Sequence, residues 1–80
     1  MIEAFILVVS KPGHEQKIHD VLKEHPWVRE VYRVYGEYDV VARIEVENIS
    51  QLDEFHDNVL RKMRDIEMTE TLIASTNVRR

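Results

Sequence analysis

The alternation of apolar and polar positions predicts four β-strands, at Glu3–Val9, Trp27–Tyr35, Tyr38–Val46 and Glu67–Ser75. In the first strand both alternating sets are apolar, which is typical of a strand buried on both faces. In the third strand one alternating set is apolar throughout: Tyr38, Val40, Ala42, Ile44 and Val46. Its other set is interrupted by charged residues and is therefore only partly apolar.

Two amphipathic helices are predicted between these strands. The first covers His14–Glu24 and ends before Pro26, because the residue that precedes a proline avoids the helical region. The second is predicted to begin at Ser50, with Asp53 three residues later in the manner of a capping box, and to run to about Arg64. Its apolar stripe consists of Leu52, Phe55, Val59, Leu60 and Met63.

The order β-α-β-β-α-β is that of the split-βαβ, or ferredoxin-like, α+β fold. In this fold a four-stranded antiparallel sheet has its first and third strands at the centre, and two helices cover one face. The other face would expose apolar side chains to water, which a stable monomer rarely tolerates. We therefore expect residues 1–80 to form one domain that dimerises through its sheet as a dimeric α+β barrel, with a loosely held tail at Thr76–Arg80.

Composition narrows the class of protein. The 80 residues carry a formal net charge of −4, with 32% charged residues, and so lack the clustered positive field that binds nucleic acid. The longest apolar run, Ala4–Val9, is far shorter than the ~20 residues of a membrane span. The absence of cysteine excludes disulfides and thiolate metal sites. We expect a soluble cytoplasmic protein without nucleic-acid or membrane partners.

The segment Gly36-Glu37-Tyr38-Asp39 is the strongest candidate for a functional site. A glycine can adopt positive φ and so allow a tight reversal between two strands. Carboxylates are depleted from strands, so Asp39 at the start of the third strand is either ordinary turn chemistry or held for a ligand. An ionised carboxylate at such a turn suits the ammonium group of a ligand.

Other kinds of site find less support in the sequence. His14 and His19 are five residues apart, whereas two zinc ligands on one helix need a spacing of four. Trp27 and the tyrosines could stack RNA bases, but the third strand lacks the pattern of RNA-recognition domains and the chain is acidic. No nucleophilic triad, paired acid and base carboxylates or phosphate-binding glycine loop is recognisable, so we expect no catalysis, metal or cofactor.

Five segments carry a resemblance to a known family. They are Ala4-Phe5-Ile6-Leu7-Val8, Lys11-Pro12-Gly13, Val31-Tyr32, Gly36-Glu37-Tyr38-Asp39 and Glu67-Met68-Thr69-Glu70-Thr71-Leu72-Ile73. In their order and spacing they resemble the effector-binding (RAM) domain of the Lrp/AsnC transcriptional regulators, over nearly the whole chain. The turn that ends in tyrosine and aspartate, followed by an apolar strand, is the most specific of them.

The resemblance implies amino-acid effectors bound between dimers, which assemble further into octamers or decamers. It places the effector's ammonium group at Asp39. Donors for the effector's carboxylate would be the backbone N–H groups near Gly36 and Tyr38 and the hydroxyls of Thr69 and Thr71. The tyrosine could also line the pocket or donate its hydroxyl. Strand-forming propensity alone also accounts for the two threonines.

Two features depart from the family pattern. Many relatives have a basic residue where this chain has Met68, and full-length members carry an N-terminal helix-turn-helix that we do not find here. We therefore expect a stand-alone, non-catalytic module that senses an amino acid or related metabolite. It would act through ligand-dependent oligomerisation or through pairing with full-length regulators. The alternatives are a small dimeric α+β barrel enzyme of the monooxygenase type, or a scaffold without a ligand.

Overall fold

A computed structural model describes residues 1–76 of the chain. Its strands are β1 (Ile2–Ser10), β2 (Val28–Arg33), β3 (Val40–Val46) and β4 (Ile66–Ile73). Its helices are α1 (Glu15–Lys23) and α2 (Ile49–Phe55), and a π-helical segment, His56–Leu60, continues directly from α2. The predicted β-α-β-β-α-β order is confirmed. Of the tail predicted at Thr76–Arg80, only Thr76 lies within the described residues.

The sheet has the strand order β2-β3-β1-β4, with all neighbours antiparallel. The two strands predicted to be central, β1 and β3, are central, and Ile6 of β1 lies opposite Ala42 of β3. On its other side β1 pairs with β4, so that Val8 faces Thr69 and Ile6 faces Thr71. The edges of the sheet are therefore β2 and β4.

The hydrophobic core lies between the helices and one face of the sheet, which we call the helix face. Alternate residues of β1 and β3 are fully buried there, because every second side chain of a strand points to the same side. The helices contribute Ile18 and Leu22 from α1, Leu52 and Phe55 from α2, and Leu60 from the π-helical segment. This apolar burial is the main favourable term in the stability of the fold.

The opposite, open face of the sheet carries the other alternating set, and the helices do not cover it. Its apolar members are Phe5, Leu7 and Val9 of β1, Tyr32 of β2, Val41 of β3, and Met68 and Leu72 of β4. The β1 residues among them are half-buried, whereas Met68 is 57% exposed. Within a single chain this side of the first strand is only half-buried, so the prediction that it is buried on both faces depends on a second copy and stays a prediction.

An ion cluster centred on Arg43 occupies the part of the open face near β2. Its guanidinium donates to Glu3 at 2.7 Å, to Glu30 at 2.6 Å and to Glu45 at 3.1 Å. These carboxylates come from β1, β2 and β3, so one side chain joins three strands. The carboxylates raise the pKa of Arg43 further, chiefly through the hydrogen bond to Glu30. Arg29 binds Glu45 at 3.1 Å at the edge of the same cluster.

The second helix differs from its prediction at both ends. Asn48, not Ser50, is its N-cap, and the Asn48 side chain accepts the backbone N–H of Gln51 at 2.9 Å. After Phe55 the backbone widens into the π-helical segment, which closes with Arg61 N–H donating to the carbonyl of His56 at 3.0 Å. The helix thus ends at residue 60 and does not reach Arg64. In the described part of the chain, no helix is long and apolar enough to cross a membrane.

Candidate functional site

The connection between β2 and β3 is the turn predicted from Gly36 to Asp39. Val34 N–H donates to the carbonyl of Asp39 at 2.9 Å, and this bond closes a four-residue loop. Gly36 has φ of +134°, with no atom within 4 Å of the position that a Cβ would occupy. The predicted need for glycine is confirmed, and its cause is backbone conformation rather than crowding. Tyr35, which precedes it, is fully exposed.

Asp39 anchors this loop to the end of β1. Its backbone N–H donates to the carbonyl of Val8, and its carboxylate Oδ2 accepts the backbone N–H of Ser10, both at 2.8 Å. The Ser10 hydroxyl lies 3.4 Å from the same oxygen. Within residues 1–76, the other carboxylate oxygen, Oδ1, has no hydrogen-bond partner. Asp39 therefore has a structural role, and one of its acceptor atoms has no partner within the described residues.

Tyr38 lies over the open face of the sheet. Its hydroxyl donates to Glu70 Oε1 at 2.6 Å, and Glu70 is opposite Leu7, a residue of the open face. The carboxylate raises the pKa of Tyr38 through this hydrogen bond. The sequence pattern placed Tyr38 on the same face as Val40, and that assignment is wrong, because Tyr38 precedes β3 and its ring crosses to the other side.

Thr69 and Thr71 lie on the helix face of the edge strand β4. They are opposite the buried residues Val8 and Ile6, and Thr69 is half-buried whereas Thr71 is exposed. One strand, β1, separates them from β3, a spacing of roughly 10 Å. The structure therefore brings Asp39 to Ser10 and Tyr38 to Glu70. It does not gather the loop and the two threonines around one ligand within a single chain.

A cavity of about 190 Å³ lies between the π-helical segment and the start of β4. Its apolar lining consists of Leu60, Met63, Ile66 and Met68. Its polar lining consists of His56, Arg61, Glu67 and Thr69. Of the predicted site residues only Thr69 reaches it. Sequence reasoning missed the other polar groups, because a π-helical segment leaves no mark in a 3.6-residue period.

Polar and charged groups surround the buried residue Asp65. The His14 ring is 2.7 Å and the Lys17 ammonium 3.6 Å from its carboxylate, and Lys11 N–H donates to its backbone carbonyl at 2.8 Å. The His14 hydrogen bond, supported by the charge of Lys17, lowers the pKa of Asp65 against the opposing effect of burial. Among the residues that the structure describes, no cluster of histidine and carboxylate groups could hold a metal ion.

The sheet topology and the glycine turn define a ferredoxin-like α+β domain, and comparisons identify its family. Residues 3–80 match the Lrp/AsnC ligand binding domain. The chain belongs to this family. The HTH-type transcriptional regulator FL11 of Pyrococcus furiosus is 36% identical over 72 residues, which are 90% of this chain and 47% of that protein. The chain thus spans about half the length of the curated relatives it matches.

Solved structures agree with this assignment. PHS023 from Pyrococcus horikoshii is 42% identical with a TM-score of 0.90, and the match covers 96% of this chain and 93% of that one. AsnC of E. coli is 25% identical with a TM-score of 0.92, and there the match covers 99% of this chain and 54% of that one. The ferredoxin-like fold predicted from the sequence is confirmed by these neighbours and by the sheet topology.

Proposed function

We propose that this chain is a non-catalytic, cytoplasmic module that binds a small amino acid or a related metabolite. It dimerises through the open face of its sheet and assembles further into a homo-oligomer, with the ligand between dimers. Ligand binding shifts the assembly, or the pairing with full-length regulators, because the ligand has different affinities for the alternative states. Family membership supports this proposal, since relatives such as FL11 are transcriptional regulators.

The separation of the candidate contacts carries the proposal. Tyr38 lies on the open face and Thr69 on the helix face, and β1 stands between β3 and β4. A small ligand that contacts both Asp39 and the threonines on the helix face of β4 would therefore be held by two chains. Binding and assembly are then linked, because each state that holds the ligand is stabilised by mass action.

The geometry of Asp39 supports its role as the ammonium-binding group. Oδ2 is fixed by the Ser10 N–H, so the carboxylate is held in one orientation. Oδ1 remains an acceptor without a partner within the described chain. A pre-oriented carboxylate loses little conformational entropy when it binds an ammonium group, and the contact is charge-assisted.

The test is a thermal-shift screen of the twenty amino acids, with light scattering on the same samples. We expect one or a few amino acids to raise the melting temperature in proportion to the logarithm of their concentration, and to change the assembly size. The variant Asp39→Asn keeps an oxygen for the Ser10 N–H and removes the charge. It should bind the active amino acid at least about tenfold more weakly, as expected for a lost charge-assisted contact.

The matched control is Asp53→Asn, at an exposed aspartate of α2. It makes the same change of charge away from the loop and should bind as the wild-type chain does. If no amino acid shifts the melting temperature or the assembly, the sensing function is wrong. If an amino acid binds Asp39→Asn and wild type equally, the ammonium site at Asp39 is wrong.

A further inference from the structure

The cavity beside β4 has a floor suited to an apolar side chain. Leu60 is only 3% exposed, and Met63 and Ile66 are half-buried around it. The volume of about 190 Å³ is several times the ~30 Å³ that a water molecule occupies in the liquid. A compact group of several carbon atoms can therefore enter and remove apolar surface from water.

Two backbone irregularities border this cavity. The π-helical segment ends at Leu60, and Arg61 follows it as the C-cap. On the other side the β1–β4 register shifts, because Val9 faces Met68 whereas Ser10 faces Ile66, which leaves Glu67 as an extra residue. Both π-helical segments and β-bulges redirect side chains and are frequent beside binding sites. Here they place a cation and an anion on the rim of one cavity with an apolar floor.

Arg61 is available to bind a carboxylate. Its only ion pair among residues 1–76 is with Asp57 at 3.6 Å, and its side chain is 70% exposed. A guanidinium has five N–H donors in a planar fork that matches a carboxylate, so one long contact leaves most of them unused. The half-buried Thr69 adds a hydroxyl to the lining of the same cavity.

We propose that this cavity is the β4 half of the ligand site and that it selects an amino acid with a neutral, apolar side chain. The side chain lies on Leu60, Met63 and Ile66, and the ligand carboxylate binds Arg61. Glu67 on the rim repels an acidic side chain. This inference rests on the proposed function, in which Asp39 of a neighbouring chain takes the ammonium group.

The experiment is isothermal calorimetry with L-leucine, L-methionine, L-alanine, L-aspartate and L-leucinamide as probes. Each buried CH₂ contributes about fourfold in affinity, so L-leucine should bind at least about tenfold more tightly than L-alanine. L-leucinamide, which lacks the carboxylate, should bind at least about tenfold more weakly than L-leucine. In Arg61→Gln, the affinity for L-leucine should fall by about the same factor, whereas the affinity for L-leucinamide should fall little. The substitution and the amide each remove the same contact, so their effects should not add.

Lys62→Gln is the matched control, since it removes a neighbouring positive charge outside the cavity lining. It should leave both affinities unchanged. If L-leucine and L-leucinamide lose affinity equally in Arg61→Gln, the carboxylate contact is wrong. If only polar or acidic amino acids bind the wild-type chain, the apolar selectivity is wrong while the sensing function stands. If no amino acid in the full screen binds, the proposed function itself fails.

Discussion

Two aspartates act as hydrogen-bond acceptors for the last residue of β1 and for the residue that follows it. Asp39 accepts the N–H of Ser10 through its carboxylate, and Asp65 accepts the N–H of Lys11 through its backbone carbonyl. The Asp65 carboxylate also binds His14. The end of β1 is therefore attached to the glycine loop, and the residue after it is attached to the segment just before β4. These are the two segments on which the candidate ligand contacts lie.

Asp65 should make the stability of the fold depend on acid pH. Its pKa is lowered in the folded chain by His14 and Lys17, whereas in the unfolded chain it is near 3.9. The ionised carboxylate therefore contributes stability that is fully present above about pH 5 and is lost as the pH falls through the folded-state pKa. Urea unfolding of Asp65→Asn should show reduced stability at about pH 6, and the deficit should shrink towards about pH 2.

Asp53→Asn is the control for this titration, because Asp53 is exposed on α2. It should change stability little at either pH. A deficit of Asp65→Asn that stays constant from neutral to acid pH would contradict the ionic role of Asp65. It would indicate that the substitution acts only through packing around this buried position.

At the residue scale, the sequence identified which residues of the turn matter but not which groups they contact. Gly36 and Asp39 stand out because positive φ and a carboxylate at a strand end are local properties. The partner of Asp39 is Ser10, 29 positions away, and such a pairing depends on the sheet register. Tyr38 was placed on the wrong face because a period of two holds only inside a strand.

At the scale of one element, the sequence of the second helix contains two possible N-caps. Ser50 with Asp53 fits a capping box, but Asn48 with Gln51 has the same spacing. In the structure Asn48 accepts the Gln51 N–H, and the Gln51 side chain accepts the N–H of Glu47, both at 2.9 Å. Two reciprocal bonds satisfy backbone donors at the earlier position, so the helix begins before Ser50.

The cap can be tested by two alanine substitutions. Asn48→Ala should lower the free energy of unfolding by about 1 kcal/mol, because it leaves a helix N–H without its acceptor. For a domain of this size, that corresponds to a fall in melting temperature of about 4–8 °C. Ser50→Ala should have an effect smaller than about 0.5 kcal/mol, since Ser50 is an exposed residue inside the helix. If calorimetry showed that Ser50→Ala destabilises the chain more than Asn48→Ala does, Ser50 and not Asn48 would be the N-cap.

At the same scale, strands were predicted better than helix ends. The apolar alternation located the central strands β1 and β3 because their buried sets, such as Val40 to Val46, have period two, whereas the edge strands β2 and β4 contain no buried residue. The end of the second helix was missed by several residues. The stripe of Leu52, Phe55 and Leu60 is compatible with both an α-helix and a widened turn, and the choice depends on how these side chains fit the sheet.

For the whole molecule, we expect a dimer because the open face of the sheet is not covered within one chain. It combines half-buried β1 residues such as Leu7 with the exposed residues Met68 and Leu72. A second copy that packs its own sheet on this face would remove these groups from water. The sequence already pointed to this arrangement, because both alternating sets of β1 are apolar while two helices can cover only one face.

Leu7→Glu tests the dimer. A carboxylate at the centre of the open face would be desolvated without a partner in the interface, so we expect the dimer to dissociate. Light scattering should then report the mass of one chain, 9.5 kDa. The control is Val21→Glu, which places the same charge at an exposed apolar position of α1 and should leave the mass unchanged. Circular dichroism would show that the monomer keeps its sheet, and a Leu7→Glu chain that stays dimeric would exclude this interface.

The Arg43 cluster has a consequence for how the fold responds to heat. Hydration of charged groups becomes less favourable as temperature rises, so the cost of holding Arg43 and its carboxylates partly out of water falls, whereas the benefit of apolar burial levels off. The bonds from Arg43 to Glu3, Glu30 and Glu45 cross three neighbouring strands. On warming, the ion pairs therefore contribute a growing share of the stability of these three strands, and the apolar contacts a smaller share.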